Sequence, residues 1–493
     1  MALFLALDQS TSATKALLFD LEGRALDREA REHRQHYPQP GWVEHDAEEI
    51  WQNSLAVLVD LVGRHLARRE EIVSLSLSNQ RETIVVFDRA TGCPLHPALV
   101  WQDRRGDALC AEHAAAGRGP LVHRKTGLKI DGYFSASKLQ WLVQQRPDLQ
   151  AKLADGSALI GTIDTYLIYR LTGGSVFATD ATNASRTLLY NITDLAWDEE
   201  LCALWEVPRC ALAEVRDCSA HFGETTLGGA LARPIALCGV MGDSQASLFA
   251  QRCFAPGATK VTFGTGSSLL MTIGSQPRLS DSGVLTALAW VHGGVPTYAF
   301  EGIIISSAST LTWLRDQIGL APDVSAIERL AIAAGDNGGV YLVPAFTGLG
   351  LPHWNSAVRA AIVGLSSHSD RRHLARAAFE SIAFQLGDAL DALRAEARVQ
   401  HAVLRADGGP TASGFLMQLC ADIAGVELSV PDLADCSPYG AVLAGQLGQR
   451  CYGSLDEIVA LGRAETVYRP AMPAEHVAAL RSGWNRSVHQ ISG

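Results

Sequence analysis

The chain predicts an α/β protein of two domains, and three observations carry that prediction. Its 493 residues are too many for one ordinary core. Short apolar, β-branched segments alternate with longer stretches of helical periodicity. A strand, a turn of small hydroxyl residues and a returning strand occur near residue 8 and again, with a Gly-rich turn, near residue 264. Any two hairpins look alike to this extent, but a repeat at that separation fits two related domains facing a cleft.

The expected strands are 4–7, 15–19, 72–78, 83–87, 234–240, 259–263, 268–273 and 340–343. Asp46 is a plausible N-cap for a helix in which Trp51, Leu55, Leu58, Val62 and Leu66 recur every three or four residues. A second helix is expected over 371–397. A third is expected from Thr411, with Phe415, Leu419 and Ile423 on one face. No Pro/Gly/Ser-rich linker separates these elements, so the domains must pack directly on each other. The expected division is 1–246 and 247–493, with the cleft near 243–250.

Composition narrows the function classes. Apolar residues make up 47%, charged residues 19% and aromatics 7%, which is ordinary globular usage and excludes disordered and fibrous classes. Forty-one basic against 52 acidic residues give −11, a poor basis for binding nucleic acid or an anionic membrane through bulk charge. A phosphate can still be bound by local donors. The ten cysteines contain no C-x-x-C pair and read as reduced thiols of a cytoplasmic protein. The apolar N-terminus meets Asp8 too early for a signal peptide, and no apolar run is long enough to span a membrane.

Three loops suit a nucleotide. Asp8-Gln9-Ser10-Thr11-Ser12-Ala13-Thr14-Lys15 offers a carboxylate, hydroxyls and a cation. Phe263-Gly264-Thr265-Gly266-Ser267 is a second small turn. Arg405-Ala406-Asp407-Gly408-Gly409-Pro410-Thr411 leads from a strand into a helix. Each alone is also an ordinary turn. The pattern G-x-x-x-x-G-K-[ST] is absent, which disfavours a P-loop enzyme. The spacing of the three resembles the two phosphate motifs and the adenosine motif of the actin-like ATPase superfamily. Further runs sharpen this: GWVEHD (41–46), NQRET (79–83), GYFSASKLQWL (132–142), TDATNASRT (179–187), PAFTGLGLPHW (344–354) and RADGG (405–409). Together they resemble the FGGY carbohydrate kinase family, nearest its glycerol kinases, from Leu5 to about Ala444. The resemblance implies two ribonuclease-H-like domains around a central cleft, transfer of phosphate from ATP·Mg²⁺ to a small polyol or sugar, and a homodimer or homotetramer.

Residue by residue, the implied chemistry is specific. Asp243 follows an apolar strand and a glycine, where a carboxylate points into a cleft or caps a helix. The resemblance makes it the base that takes the proton of the acceptor hydroxyl. Arg81-Glu82 is more often a surface ion pair, yet a guanidinium beside a carboxylate also matches a vicinal diol, and the resemblance assigns it to the polyol. Trp101 and Tyr133, otherwise core aromatics, match positions that shape the pocket. Asp8 matches the carboxylate that holds Mg²⁺. Thr11, Ser12 and Lys15 match phosphate contacts, Gly264 and Thr265 the second phosphate loop, and Gly409 the backbone approach to the nucleotide.

The chain also departs from the family pattern. Lys15 stands for an Arg, Ser10 for a Gly, Ala308 and Thr312 for a Gly and a Gln near the nucleotide, and Ser413 for an Asn near the base. Ser244 stands for a Gln and Ser268 for a Phe, both at the acceptor. These two changes leave room for a polyol or ketose somewhat larger than glycerol. A xylulose or other ketopentose kinase is therefore the nearest alternative. A chaperone-like actin-type ATPase, for which no peptide-binding appendage is found, and a non-catalytic sugar sensor are alternatives of other classes.

Overall fold

Leu3–Gln9 (β1) buries seven side chains in a row, the pattern of a strand covered on both faces. The computed structural model describes residues 2–355, 357–399, 404–433 and 435–492. In it β2 (Ala13–Phe19) returns antiparallel to β1, and β3 (Ala25–Glu32) continues the meander. After helix α1 (Ala47–Arg64), β4 (Ile72–Asn79) joins parallel to β1. β5 (His221–Thr225) and β6 (Ile235–Gly242) complete a six-stranded sheet in the order β5-β6-β4-β1-β2-β3, with β6 parallel to β4.

Asp46 caps α1 as the sequence predicts, its carboxylate accepting from the backbone N–H groups of Glu48 and Glu49. Ile50, Val57, Leu58, Leu61 and Val62 form its buried stripe, with Trp51 and Leu55 only partly covered. Leu66 departs from the expected stripe. The α-helix ends at Arg64, and Leu66 lies in a following 3₁₀ turn with 58% of its surface exposed.

The second half repeats this plan. β7 (Thr259–Phe263) and β8 (Ser267–Gly274) form an antiparallel hairpin, following helix α2 (Asp243–Ala250). β9 (Leu285–His292) and β10 (Val295–Ile304) extend it. Helices α3 (Ser309–Asp316), α4 (Val324–Ala334) and α5 (Arg371–Ala397) come next. β11 (Leu404–Asp407) then adds parallel to β7. Helix α6 (Gly414–Ala424), β12 (Leu428–Pro431), helix α7 (Cys436–Gly448) and β13 (Glu465–Tyr468) follow, and the seven-stranded order is β9-β10-β8-β7-β11-β12-β13. Run side by side, β3-β2-β1-β4-β6 and β10-β8-β7-β11-β12 have the same order and the same directions.

The helix expected from Thr411 starts later. Residues 409–412 form a 3₁₀ turn through Pro410, and α6 begins at Gly414, where the Ser413 hydroxyl accepts from Leu416 N–H at 3.0 Å. Leu419 and Ile423 are buried as expected, and Phe415 is partly so.

Helices α2 and α7 join the halves. One core cluster combines Phe4, Leu17, Phe19 and Met241 of the first sheet with Leu248 and Phe249 of α2, Leu270 of β8, and Tyr439, Val442 and Leu443 of α7. The cleft was expected near 243–250, but of α2 only its first residue, Asp243, is part-exposed, and residues 244–250 are buried. Where α2 and α7 cross, a Cβ on Gly440 would sit 1.8 Å from the Ala246 carbonyl oxygen. All ten cysteines are free thiols, with Cys93, Cys210 and Cys451 exposed and the others buried. No helix among the described residues is long and apolar enough to cross a membrane. Gly440→Val must push α7 off α2, so it should destabilise the protein by about 1–3 kcal/mol. An unchanged thermal unfolding midpoint would show that the helices do not pack this tightly.

Candidate active site

Three parallel strands end together. Asp8 at the end of β1 is paired with Ser78 of β4, and Ser78 with Met241 of β6. Asp8, the turn that follows Asn79, and Asp243 are therefore delivered to the same C-terminal edge, where α/β sheets present their ligand groups. Gly242 precedes Asp243 for a steric reason: a Cβ there would lie 2.7 Å from Cγ of Arg81.

Arg81 is not the surface residue its dipeptide context suggests. It is 7% exposed, and its Nε lies 3.1 Å from Oδ1 of Asp243 while Nη1 lies 3.1 Å from Oε1 of Glu301. Glu82, whose charge acts strongly on Arg81, accepts from Nε of Arg186 at 2.6 Å. Arg186 also bonds the second oxygen of Glu301. Glu82 holds a left-handed φ of 62°, costly for a non-glycine residue. The Arg186 pair and a 2.8 Å bond from the Ser135 hydroxyl to the Glu82 carbonyl hold it there. Burial pushes the Glu82 carboxyl up, and the two arginines only partly reverse that. Burial opposes ionisation of Glu301 as well, but Arg186 and Arg81 together bring it below the usual glutamate value. Asp243 contrasts with them, its side chain being 41% exposed beside this buried network.

The aromatic pair closes one side. Trp101 and Tyr133 meet edge to face with ring centroids 5.5 Å apart, both half-buried. The Trp101 indole N–H donates to Oγ1 of Thr11 at 2.9 Å, tying this aromatic wall to the turn after β1. On another side, Ser244 and Ser268 hydroxyls lie 3.0 Å apart. Behind them the buried Lys260 ammonium donates to Ser244 at 2.6 Å and to Thr262 at 2.9 Å.

Asp8 is 6% exposed and accepts from the Ser78 hydroxyl at 2.6 Å. Burial raises its pKa to about 6, against the opposing effects of that bond and of the Lys15 charge. Lys15 is itself paired with Asp435 at 2.8 Å, just before α7. Ser10 fills its non-glycine role without difficulty, its backbone N–H and its hydroxyl both donating to the Ala13 carbonyl. Ser12 and Thr265 stand exposed at the tips of the two hairpins.

The second loop is tied to α3. Ala308 N–H donates to the Gly264 carbonyl at 3.1 Å and Ser307 N–H to the Thr265 carbonyl at 2.8 Å, so Gly264, Thr265 and Ala308 form one unit with the exposed Thr312 a turn further on. The third loop packs on it: Gly408 has φ 96°, and a Cβ there would meet the Phe263 carbonyl at 2.0 Å. Gly409 is exposed beside it. Ser413 is more committed than expected, since its hydroxyl caps α6 and donates to Glu328 at 2.7 Å.

The structure thus links Asp8, Arg81, Glu82, Trp101, Tyr133, Asp243, Ser244 and Ser268 on one side, and Gly264, Thr265, Ala308, Thr312, Gly409 and Ser413 on the other. Sequence reasoning missed Arg186, Glu301 and Lys260. Arg186 lies within the quoted run 179–187, and the one cation of a segment of small, polar residues was the available signal. Glu301 and Lys260 interrupt apolar strands, the usual mark of a buried ion that has a partner.

A two-lobed fold with paired small-residue hairpins and a part-exposed carboxylate at the strand ends is the architecture of a phosphotransferase acting on a nucleotide and a small acceptor. Residues 3–250 match the N-terminal domain, and residues 259–448 the C-terminal domain, of the FGGY family of carbohydrate kinases. The chain belongs to that family and is an ATP-dependent, glycerol kinase-like phosphotransferase. It is 42% identical over 487 residues to the glycerol kinase of Desulfitobacterium hafniense, covering 99% of both chains. It is 43% identical over 493 residues to that of Thermus brockianus, covering 100% of this chain and 99% of the relative. The crystal structure of Plasmodium falciparum glycerol kinase with ADP superposes with a TM-score of 0.93 at 34% identity, over 100% of this chain and 98% of that one. A xylulose kinase from Lactobacillus acidophilus shares the fold, with a TM-score of 0.87 at 21% identity, over 99% of this chain and 97% of that one.

Burial of Asp8 makes a stability prediction. Well below the ordinary value of 3.8 the carboxyl is protonated in both folded and unfolded chains and carries no penalty. Between 3.8 and the folded value of about 6 the unfolded chain ionises first and the penalty on the folded chain builds up, reaching its full size above 6. Asp8→Asn should therefore stabilise the ligand-free protein by about 2–3 kcal/mol at pH 8, with most of the gain gone near pH 4. An equal effect at both pH values in denaturant titrations would contradict this origin.

Proposed function

We propose that the protein transfers the γ-phosphoryl group of ATP to a hydroxyl of a small polyol, glycerol or a somewhat longer acceptor, with Asp243 as the base. The observation that carries this reading is the placement of Asp243: a part-exposed carboxylate at the strand-end edge, 3.1 Å from a buried guanidinium and beside a half-buried aromatic wall. Arg81 and Glu82 orient neighbouring acceptor hydroxyls, the first by donating and the second by accepting. Trp101 and Tyr133 cover the carbon chain and exclude water. Asp243 accepts the proton of the attacking hydroxyl, and Arg81, 3.1 Å away, orients that carboxylate.

On the nucleotide side, Thr11, Ser12, Lys15, Gly264 and Thr265 position the phosphates, and Ala308, Thr312, Gly409 and Ser413 border the nucleoside. Asp8 suits Mg²⁺ as a hard oxygen donor at a strand end. No group of three or more His, Cys, Asp or Glu among the described residues is arranged to hold a metal, so phosphate oxygens and water would complete its coordination. When bound, Mg²⁺ would neutralise charge on the transferred phosphoryl group. We assign acceptor binding and the first phosphate loop to residues 1–246 and nucleotide binding to 247–493, with α2 and α7 packed between them. The ten free thiols fit a cytoplasmic location. A ketopentose acceptor is the second reading, favoured by the small Ser244 and Ser268.

An ADP-release assay with a polyol and ketose panel tests the activity. Asp243→Asn should retain ADP binding by calorimetry and lose about 10²–10⁴-fold in kcat. Turnover close to that of the parent enzyme would remove Asp243 from the base role.

A further inference from the structure

The acceptor site has a polar wall that a diol held by Arg81 and Glu82 does not use. Ser244 follows Asp243 directly, and its hydroxyl is 3.0 Å from that of Ser268 on β8. Lys260, on neighbouring β7, is fully buried and donates to Ser244 at 2.6 Å. It lies close enough to Arg81, Asp243 and Glu301 for their charges to act on it.

Counting protons shows what the wall can offer. An ammonium can only donate, so Ser244 accepts from Lys260. Whichever of the two serines donates to the other, one hydroxyl proton of the pair remains to give to an acceptor. Ser268 is half-buried and therefore reachable, whereas Lys260 is not. An incoming acceptor meets hydroxyls rather than a bare charge. The ammonium is further balanced by Asp407, whose carboxylate accepts from Ser247 one turn along α2.

We infer that Ser268 and Ser244, oriented by Lys260, form a specificity subsite for an additional hydroxyl of an acyclic, uncharged polyol of four or five carbons. The inference rests on the kinase reading above and names the acceptor class for it. Small side chains leave space for the longer chain. A site built to bond a hydroxyl discriminates against the analogue that lacks it, because its own polar groups are then left unpaired. Lys260 touches no acceptor atom in this account; it is a positioning residue that keeps the Ser244 proton turned away from the ammonium.

The test is the specificity constant of the full-length enzyme with ATP·Mg²⁺ for glycerol, the four-carbon and five-carbon polyols, and glycerate as the charged control. A longer polyol should exceed glycerol by at least about tenfold. Ser268→Phe, which fills the space and removes the donor, should reverse that ranking. Lys260→Met should lower the ratio of longer polyol to glycerol, a ratio that partial unfolding alone would not move. Glycerol ahead in the parent enzyme, glycerate ahead of the neutral polyols, or a ranking unmoved by Ser268→Phe would overturn this inference while leaving the kinase intact. Transfer to none of these acceptors would overturn the polyol kinase reading itself.

Discussion

Two guanidinium groups and two carboxylates are buried where the lobes meet, and buried ions are tolerated only when paired. Arg81, Glu82 and Arg186 come from the first half of the chain and Glu301 from the second. Glu301 receives both arginines, one on each carboxylate oxygen. Glu301 of the second half thus draws both arginines of the first onto one carboxylate, and this pairing ties the two halves together beside Asp243. Asp243, the part-exposed member of the set, takes its orientation from Arg81 and from the backbone N–H of Ser244, which donates to Oδ1 at 2.6 Å.

The repeated sheet explains how one architecture serves two ligands. In each half a tight hairpin brings small residues to the cleft, Ser10-Thr11-Ser12 in one and Gly264-Thr265-Gly266 in the other. What differs is the strand beside the hairpin. β4 is followed by Arg81 and Glu82, while β11 ends at Asp407 and is followed by Gly408, whose left-handed φ lets the chain pass close to Phe263. The hairpin is thus duplicated, while the buried arginine–carboxylate pair follows a strand in the first copy and the close glycine crossing follows one in the second. In the first copy Trp101 ties the aromatic wall to the hairpin turn through its bond to Thr11.

Much of this was legible in the residues. Apolar runs placed the central strands to within a residue or two, because strands covered on both faces are mostly apolar. Asp46 and the stretch 371–397 marked helices through capping and periodicity. The third helix was placed early because Pro410 and the hydroxyl of Ser413 compete for its first turn, and local propensity does not decide which wins. Asp243 was legible from a strand, a glycine and a carboxylate in sequence. Glu301 was not: its role depends on a partner 220 residues away, and a lone glutamate in a strand carries no sign of what it faces. Lys260 was silent for the same reason, although a lysine between apolar neighbours in a buried strand calls for a partner.

The account turns on Arg81 and Glu301 acting as one unit to hold the acceptor edge in place. The most direct measurement is a double-mutant cycle on kcat/KM with Arg81→Met, Glu301→Gln and the pair. If they act together, the double variant should be little worse than the poorer single variant, with a coupling of about 1–3 kcal/mol. Fully additive losses would mean that the two side chains serve the reaction independently, and that the buried network does not organise the site.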